Sequence, residues 1–293
     1  MKKHLLILFA ALSTLVASAQ DRVEIDGIWY ILKGKQAEVK QGNTKYSGTI
    51  TIPPMVTYGN EEYSVTRIGD GAFFSCSSLT SVIIPEGVTS IGCDAFMESN
   101  NLTFVTIPEG VTSIERDAFR GCWGLTTITI PESVKDIWNW AFADCNNLIT
   151  FKIPGGVTSI GGWTFYNCSS LTTITIPENV TSIGYEAFSY CSSLLDIYCY
   201  AENIPLTESD AFNNSNISNA TLHVPASALN AYETTAPWSS FGNIVALTEE
   251  EMSIEKSEIR NQKSEIIYDL QGHRVTHPTK GIYIIDGKKK AFK

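Results

Sequence analysis

The sequence predicts a repeat solenoid: a β-rich, right-handed superhelix of 23-residue leucine-rich coils, joined by short or helical turns and capped at both ends. Three columns of recurring residues predict it. Pro85, Pro108, Pro131, Pro154 and Pro177 stand 23 apart, and so do Phe73, Phe96, Phe119, Phe142, Phe165 and Phe188. The same step separates Leu79, Leu102, Leu125, Leu148, Leu171 and Leu194. An L-x-x-I-x-I core at a period of about 20–29 residues marks leucine-rich coils. Each coil buries its apolar face against its neighbours, so such an array escapes the size limit of a single core.

The elements follow in chain order. Residues 1–19 carry a basic start at Lys2 and Lys3, an apolar run from Leu5 to Val16 and a small-residue Ala17-Ser18-Ala19 site. That pattern is expected of a secretory signal peptide. The run is too short to span a bilayer and no later stretch reaches ~18 continuous apolar residues, so no membrane span is expected once the signal is removed. Residues 20–64 alternate apolar and polar side chains around Gly34-Lys35, which predicts a hairpin, and Ile50-x-Ile52-Pro53 is a first repeat-type strand. This region is expected to form an N-terminal β cap.

Residues 65–199 hold the regular coils. A strand such as Leu125 to Ile130 turns Leu and Ile inward and Thr outward, at the period of two a strand requires. Proline ends each strand because it lacks a ladder donor and fixes its own φ. Val111, Ile114 and their equivalents give a second short inward segment, followed by Ala-Phe and a turn to Cys. Residues 200–247 lose the strict period but keep Ala211-Phe212 and a last strand at Leu222-His223-Val224. A helical stretch with Ala228, Leu229 and Tyr232 on one face then ends at Pro237, completing a C-terminal cap. Residues 248–264 are a charged linker. Residues 265–293 form a small β tail with strand-like segments at Ile267-Tyr268 and Ile282-Tyr283-Ile284.

Composition excludes several classes. At 43% hydrophobic and 18% charged the chain is not disordered. Without the two signal lysines, 19 basic residues face 31 acidic ones, a net −12 that suits no phosphate backbone; nucleic acid is not an expected partner. Cys76, Cys122, Cys145, Cys168 and Cys191 share one column in which Ser99 also stands, so a small side chain and free, buried thiols are expected there. The column lacks C-x-x-C spacing and a histidine partner, so no metal is expected. His223, His273 and His277 fall outside the regular coils, leaving no acid–base pair or Ser-His-Asp set. Asp94, Asp117 and Glu186 beside the Ala-Phe turns read as polar caps. No cofactor and no catalysis are expected.

What remains is a binding surface. The outward strand positions are mostly threonine, with Phe104 and Tyr198 as aromatic exceptions. Between the column Ile and the Ala-Phe pair most coils place Gly, Asp or Glu, yet three coils place Trp138 with Trp140, Trp163, and Tyr185. Trp140 and Trp163 hold the same position in adjacent coils, which sets their rings about 5–7 Å apart, and Trp123, Tyr166 and Tyr190 follow nearby on the turn. Large aromatics at otherwise polar positions suggest a contact patch, and flat rings suit sugar faces. The competing reading is that they pack over the turns or on one another.

The coil I-P-E-G-V-T-S-I-G-x-x-A-F-x-x-C-x-x-L-T, seen at Ile84 to Thr103 and Ile107 to Thr126, resembles the BspA-like leucine-rich repeats of Bacteroidetes-type surface proteins. The resemblance implies an exported or surface-held, non-catalytic binding protein, adhesin-like, whose partner is a host extracellular-matrix or surface protein, a glycan or another cell. Two alternatives stand beside it: a carbohydrate-capture module that uses the tryptophan patch, and a structural or assembly component of a surface complex. In the tail, Tyr268-Asp269-Leu270-x-Gly272-x-Arg274-Val275 and Gly281-Ile282-Tyr283-Ile284 are similar to C-terminal sorting domains read by the type IX secretion system. That likeness implies secretion machinery as a second partner. The candidate binding residues are Trp138, Trp140, Trp163, Tyr166, Tyr185, Phe104 and Tyr198.

Overall fold

The computed structural model describes residues 22–252 and the tail strands Ile267–Tyr268, Gly281–Ile285 and Lys288–Phe292. The expected signal segment and most of the linker lie outside the described residues. The chain winds into a β-solenoid of about eight turns, repeating about every 23 residues and with little helix. Most coils contribute two short strands. The first strands stack in parallel as Ser47–Thr51, Ser78–Ile83 and Phe104–Thr106, and again as Thr150–Lys152, Thr173–Ile176, Asp196–Cys199, Thr221–Val224 and Asn243–Ala246. The second strands, two residues each, include Ser90–Ile91, Ser113–Ile114 and Asp136–Ile137 in one sheet and Ser159–Ile160, Ser182–Ile183 and Leu206–Thr207 in another. Register steps by one repeat, as in Thr150 to Thr173 and Ser113 to Ser90.

The core is a column of phenylalanines. Phe73, Phe96, Phe119, Phe142, Phe165 and Phe188 are fully buried. Successive rings lie nearly parallel, with centroids 5.0, 5.0, 5.3, 5.8 and 5.4 Å apart. Tyr46 closes the column at its start, 5.0 Å from Phe73. At its end Phe212 stacks on Phe188, and Trp238 meets Phe212 edge-on. Trp238 and Tyr232, both fully buried, come from the helix Leu229–Thr234 and the turn after it. Burying each such side chain stabilises by roughly 1.5–3 kcal/mol, against an ordering cost of about 1–2 kcal/mol per residue.

The cysteine column does more than fit a small side chain. The thiols of Cys122, Cys145, Cys168 and Cys191 donate to the carbonyl oxygens of Phe96, Phe119, Phe142 and Phe165, one coil back, at 3.1 to 3.3 Å. Ser99 makes the same bond to Phe73 at 2.6 Å, and Ser215 makes it to Phe188. The position therefore selects a small donor, which gives the buried phenylalanine carbonyl a second bond beside the one most of them accept from the N–H three residues on, as Phe96 does from Ser99 at 3.0 Å. All seven cysteines are free. Burial pushes the Cys145 and Cys191 thiols up to about 12, which keeps them protonated.

The parallel ladder is not continuous, contrary to the stacking that the repeat predicts. Residues 127–130 make no ladder bond on either side, and the second-strand sheet also ends at Asp136–Ile137 and resumes at Ser159–Ile160. Two oversized side chains flank this coil. Phe151 takes an inward place that is Ile or Val in the other coils and wedges between Phe142 and Phe165, with centroids 4.8 and 4.7 Å away. Those two column rings stand 5.8 Å apart, the widest step in the stack. On the other side is Phe104, which packs against Ile83.

The ends are closed by different means. At the N-terminus Arg22–Ile25, Ile28–Lys33 and Gln36–Lys40 form an antiparallel meander, and its last strand pairs in parallel with Glu61–Ile68. At the C-terminus Asn243–Ala246 adds a further parallel strand beyond Thr221–Val224, where no I-x-I-P pattern marks it. The tail strands pair antiparallel in a three-stranded sheet.

Candidate functional site

The turn edge of every coil contains two left-handed residues. One column runs Gly71, Asp94, Asp117, Trp140, Trp163, Glu186, and the other Ser75, Glu98, Gly121, Asp144, Asn167, Tyr190, all with φ between 46° and 70°. The repeat imposes this conformation. It aims these N–H groups at carbonyls of the following coil, as in Asp94 to Arg116 (3.0 Å), Trp163 to Tyr185 (2.8 Å) and Asn167 to Ser189 (2.8 Å), except Glu186, whose N–H donates to the Asp210 carboxylate at 3.3 Å. Gly, Asp and Asn adopt it readily; a bulky side chain does so at a cost of about 1–2 kcal/mol. Two tryptophans in one such column, with Tyr190 in the other, are the bulky outliers of the turn edge, and strain of this kind concentrates at functional positions.

From those two positions a ridge is built. The Trp140 and Trp163 rings stack with centroids 4.9 Å apart and planes 7° from parallel. Arg120 lies over Trp140, 4.7 Å from its ring centroid, and is held there by Asp117 at 3.3 Å and Asp144 at 3.4 Å. Tyr185 leans on Trp163 at 6.4 Å, Tyr166 on Trp140 at 5.7 Å, and Tyr190 meets Tyr166 edge-on at 5.4 Å. Tyr185 and Tyr190 are exposed, while Trp140, Trp163 and Tyr166 are half-buried. Trp138, two residues before Trp140, is 57% exposed. Desolvation and the adjoining Tyr190 hydroxyl raise the Tyr166 phenol, so it stays neutral.

The sequence-predicted residues thus divide. Trp140, Trp163, Tyr166 and Tyr185 come together as ring neighbours, and Trp138 stands beside them in the chain. Phe104 does not join them: it is only 7% exposed, because it lies over Ile83 of the previous coil instead of projecting outward. Tyr198 does not either, since its ring stacks on His223 at 4.3 Å, away on the last strands. Trp140 lies between Arg120 and Trp163, and Tyr185 leans on Trp163 with its ring tilted by 32°. Arg120 itself was missed; its one signal is a lone basic residue in the column Phe74, Met97, Arg120, Ala143, Tyr166.

Two further clusters bring ionisable groups together. Asp70, Cys93 and Glu115 bring ligand-type atoms within 4.8 Å of one another. Arg67 sits among them, 2.8 Å from Asp70 and 2.9 Å from both Glu38 and Glu115, so the protein supplies its own cation. His223 bonds Asp196 at 3.1 Å and stands 3.7 Å from Glu251. Among the described residues no hydroxyl or thiol hydrogen-bonds to it.

The family sequence model described as BspA type Leucine rich repeat region matches in six copies, over residues 66–195 and 112–236. The chain belongs to the BspA-type leucine-rich repeat family. No curated protein matches it. Among solved structures, a leucine-rich repeat protein of T. pallidum is similar at 24% identity over 64% of this chain and 86% of that one, with a TM-score of 0.58. A leucine-rich cell surface protein of Faecalibacterium prausnitzii is similar at 22% identity over 81% of this chain and 98% of its own, with a TM-score of 0.50. At these identities the likeness carries the solenoid fold. In this BspA-type chain, among the described residues, no helix is long and apolar enough to cross a membrane.

Proposed function

We propose that this BspA-type repeat protein is an exported, non-catalytic, adhesin-like binding protein that meets a host matrix or surface protein along the aromatic ridge. The observation that carries the reading is the pair of tryptophans at left-handed positions, Trp140 at φ 64° and Trp163 at φ 58°, where neighbouring coils carry Gly, Asp and Glu. In the turn columns their strain is matched by Tyr190, at φ 61° in the same ridge, and the ridge's outer rings, Tyr185, Tyr190 and Trp138, are open to solvent. Tryptophan, tyrosine and arginine are the side chains that dominate interface energies. A rigid ridge also loses little entropy when a partner docks. The description of the Faecalibacterium prausnitzii relative as a cell surface protein fits this placement.

Pull-down from host matrix and mucin fractions tests it, with the double variant Trp140→Asp/Trp163→Asp as control. Capture of a defined protein by the natural chain and its loss in the variant supports the ridge. Equal capture by both overturns it. The tail is proposed to carry the chain to the outer surface; surface display that persists after deletion of residues 265–293 removes that role.

A further inference from the structure

Beside the ridge, the same turn edge holds a groove of about 360 Å³. Its volume falls within the ~300–1,000 Å³ of small-molecule sites. It exists because of one residue. Gly121 is the only member without a side chain in the left-handed column Ser75, Glu98, Gly121, Asp144, Asn167, Tyr190, so a slot opens between Glu98 and Asp144. Along the slot lies Trp123, 49% exposed, in a column that carries Ser or Asn in the other coils. Unlike Trp140 and Trp163, Trp123 has no aromatic ring stacked on it among the described residues. One face of an indole is therefore presented to an open, ligand-sized space.

The rest of the lining is polar and planar. The Asp144 carboxylate is held in place by Asn167 Nδ2 at 2.9 Å and Arg120 Nε at 3.4 Å. Asn100, Asn146 and Asn167 add amide groups to the lining. Glu98 and Asp144 outnumber Arg120, so the groove repels anions. Apart from Trp123 and Met97 it offers no apolar wall for a hydrophobic peptide anchor.

We propose that this groove binds a neutral pyranose unit of a glycan. One C–H face of the sugar stacks on Trp123, and its hydroxyls meet the fixed Asp144–Asn167–Arg120 array. The site lies beside the ridge and shares Arg120 and Asp144 with it, while Gly121 and Trp123 belong to the groove alone.

The test uses the full chain and neutral pentasaccharides of cellulose, mannan, xylan and chitin, with a sulfated heparin pentasaccharide and an aromatic hexapeptide as controls. The readout is the indole N–H resonance of Trp123, assigned through Trp123→Phe. A neutral pentasaccharide is expected to shift that resonance saturably. Gly121→Asn fills the slot with a residue that the same column already carries at Asn167 in the same backbone conformation, and a Cβ at Gly121 meets Glu98 at an ordinary 3.7 Å, so this variant folds. Gly121→Asn is expected to weaken binding by roughly tenfold or more by that resonance, and Trp123→Ala, which lacks the reporter and is read by titration calorimetry, by a similar factor. The proposal is overturned if no neutral pentasaccharide moves the resonance, if the shift survives Gly121→Asn, or if the sulfated sugar or the peptide binds more tightly.

Discussion

Trp140 and Trp163 pose a question of balance at the level of single residues. Holding a bulky residue left-handed costs about 1–3 kcal/mol, while an aromatic pair returns about 0.5–1.5 kcal/mol beyond its buried area. Their burial is partial, so the two effects nearly offset. Trp140→Asp/Trp163→Asp is therefore expected to unfold within about 1 kcal/mol of the natural chain in urea, because Asp94 and Asp117 already occupy this conformation. A loss of several kcal/mol would make the ridge a packing element. The thiols give a second residue-scale prediction. Cys145 and Cys191 titrate near 9 in the unfolded chain and near 12 when folded, so the folded state holds these protons longer. That contribution is complete below the unfolded value and disappears as pH climbs through the folded one. Melting temperature is expected to fall between pH 9 and 12, and Cys145→Ser/Cys191→Ser, which keeps the donor as Ser99 does, is expected to flatten the fall. Part of this was legible in the sequence. A serine within the cysteine column announced a small side chain, but its role as a donor to a phenylalanine carbonyl needed the coil one turn back to be in place. The Gly/Asp/Trp column was visible too; its left-handed backbone was not, since tryptophan hides what glycine and aspartate announce. Phe104 was misread because strand alternation gives the side chain's direction and says nothing about what a neighbouring Ile83 covers.

At the scale of one coil, the phenylalanine column and the interrupted ladder lead to opposite expectations. Phe142 is fully buried between Phe119 and Phe165. Truncating it to alanine removes both its transfer energy and its packing, and Phe142→Ala is expected to cost roughly 3–5 kcal/mol in chemical denaturation. The strand place at residues 127–130, by contrast, makes no ladder bonds. Its amides are expected to exchange with deuterium faster than those of Phe104–Thr106 or Thr173–Ile176, as measured by mass spectrometry of overlapping peptides. Phe151→Ile, which restores the residue type of the neighbouring coils, is expected to slow that exchange by closing the widened step; unchanged exchange would clear Phe151 as the wedge. The repeat length, the strand places and the inward set could all be read from the chain, because a 23-residue step copies one packing solution. Irregularity could not, since it arises only when two large side chains from different coils compete for one layer.

For the molecule as a whole, stability is a sum over neighbouring coils, closed at one end by Tyr46 and the N-terminal meander and at the other by Trp238 and Tyr232. The repeat made this architecture legible. The aromatic terminators, and the last strand Asn243–Ala246, carry no repeat signature and needed the three-dimensional stack to be seen. The buried sulfur rung has a consequence for how such a chain matures. Each thiol is sealed only when the adjoining coil settles against it, so during winding the newest rung stays open to oxidants and to stray cross-linking. Growth that proceeds coil by coil leaves one vulnerable sulfur at a time, whereas collapse from many starting points would expose several together and tangle them.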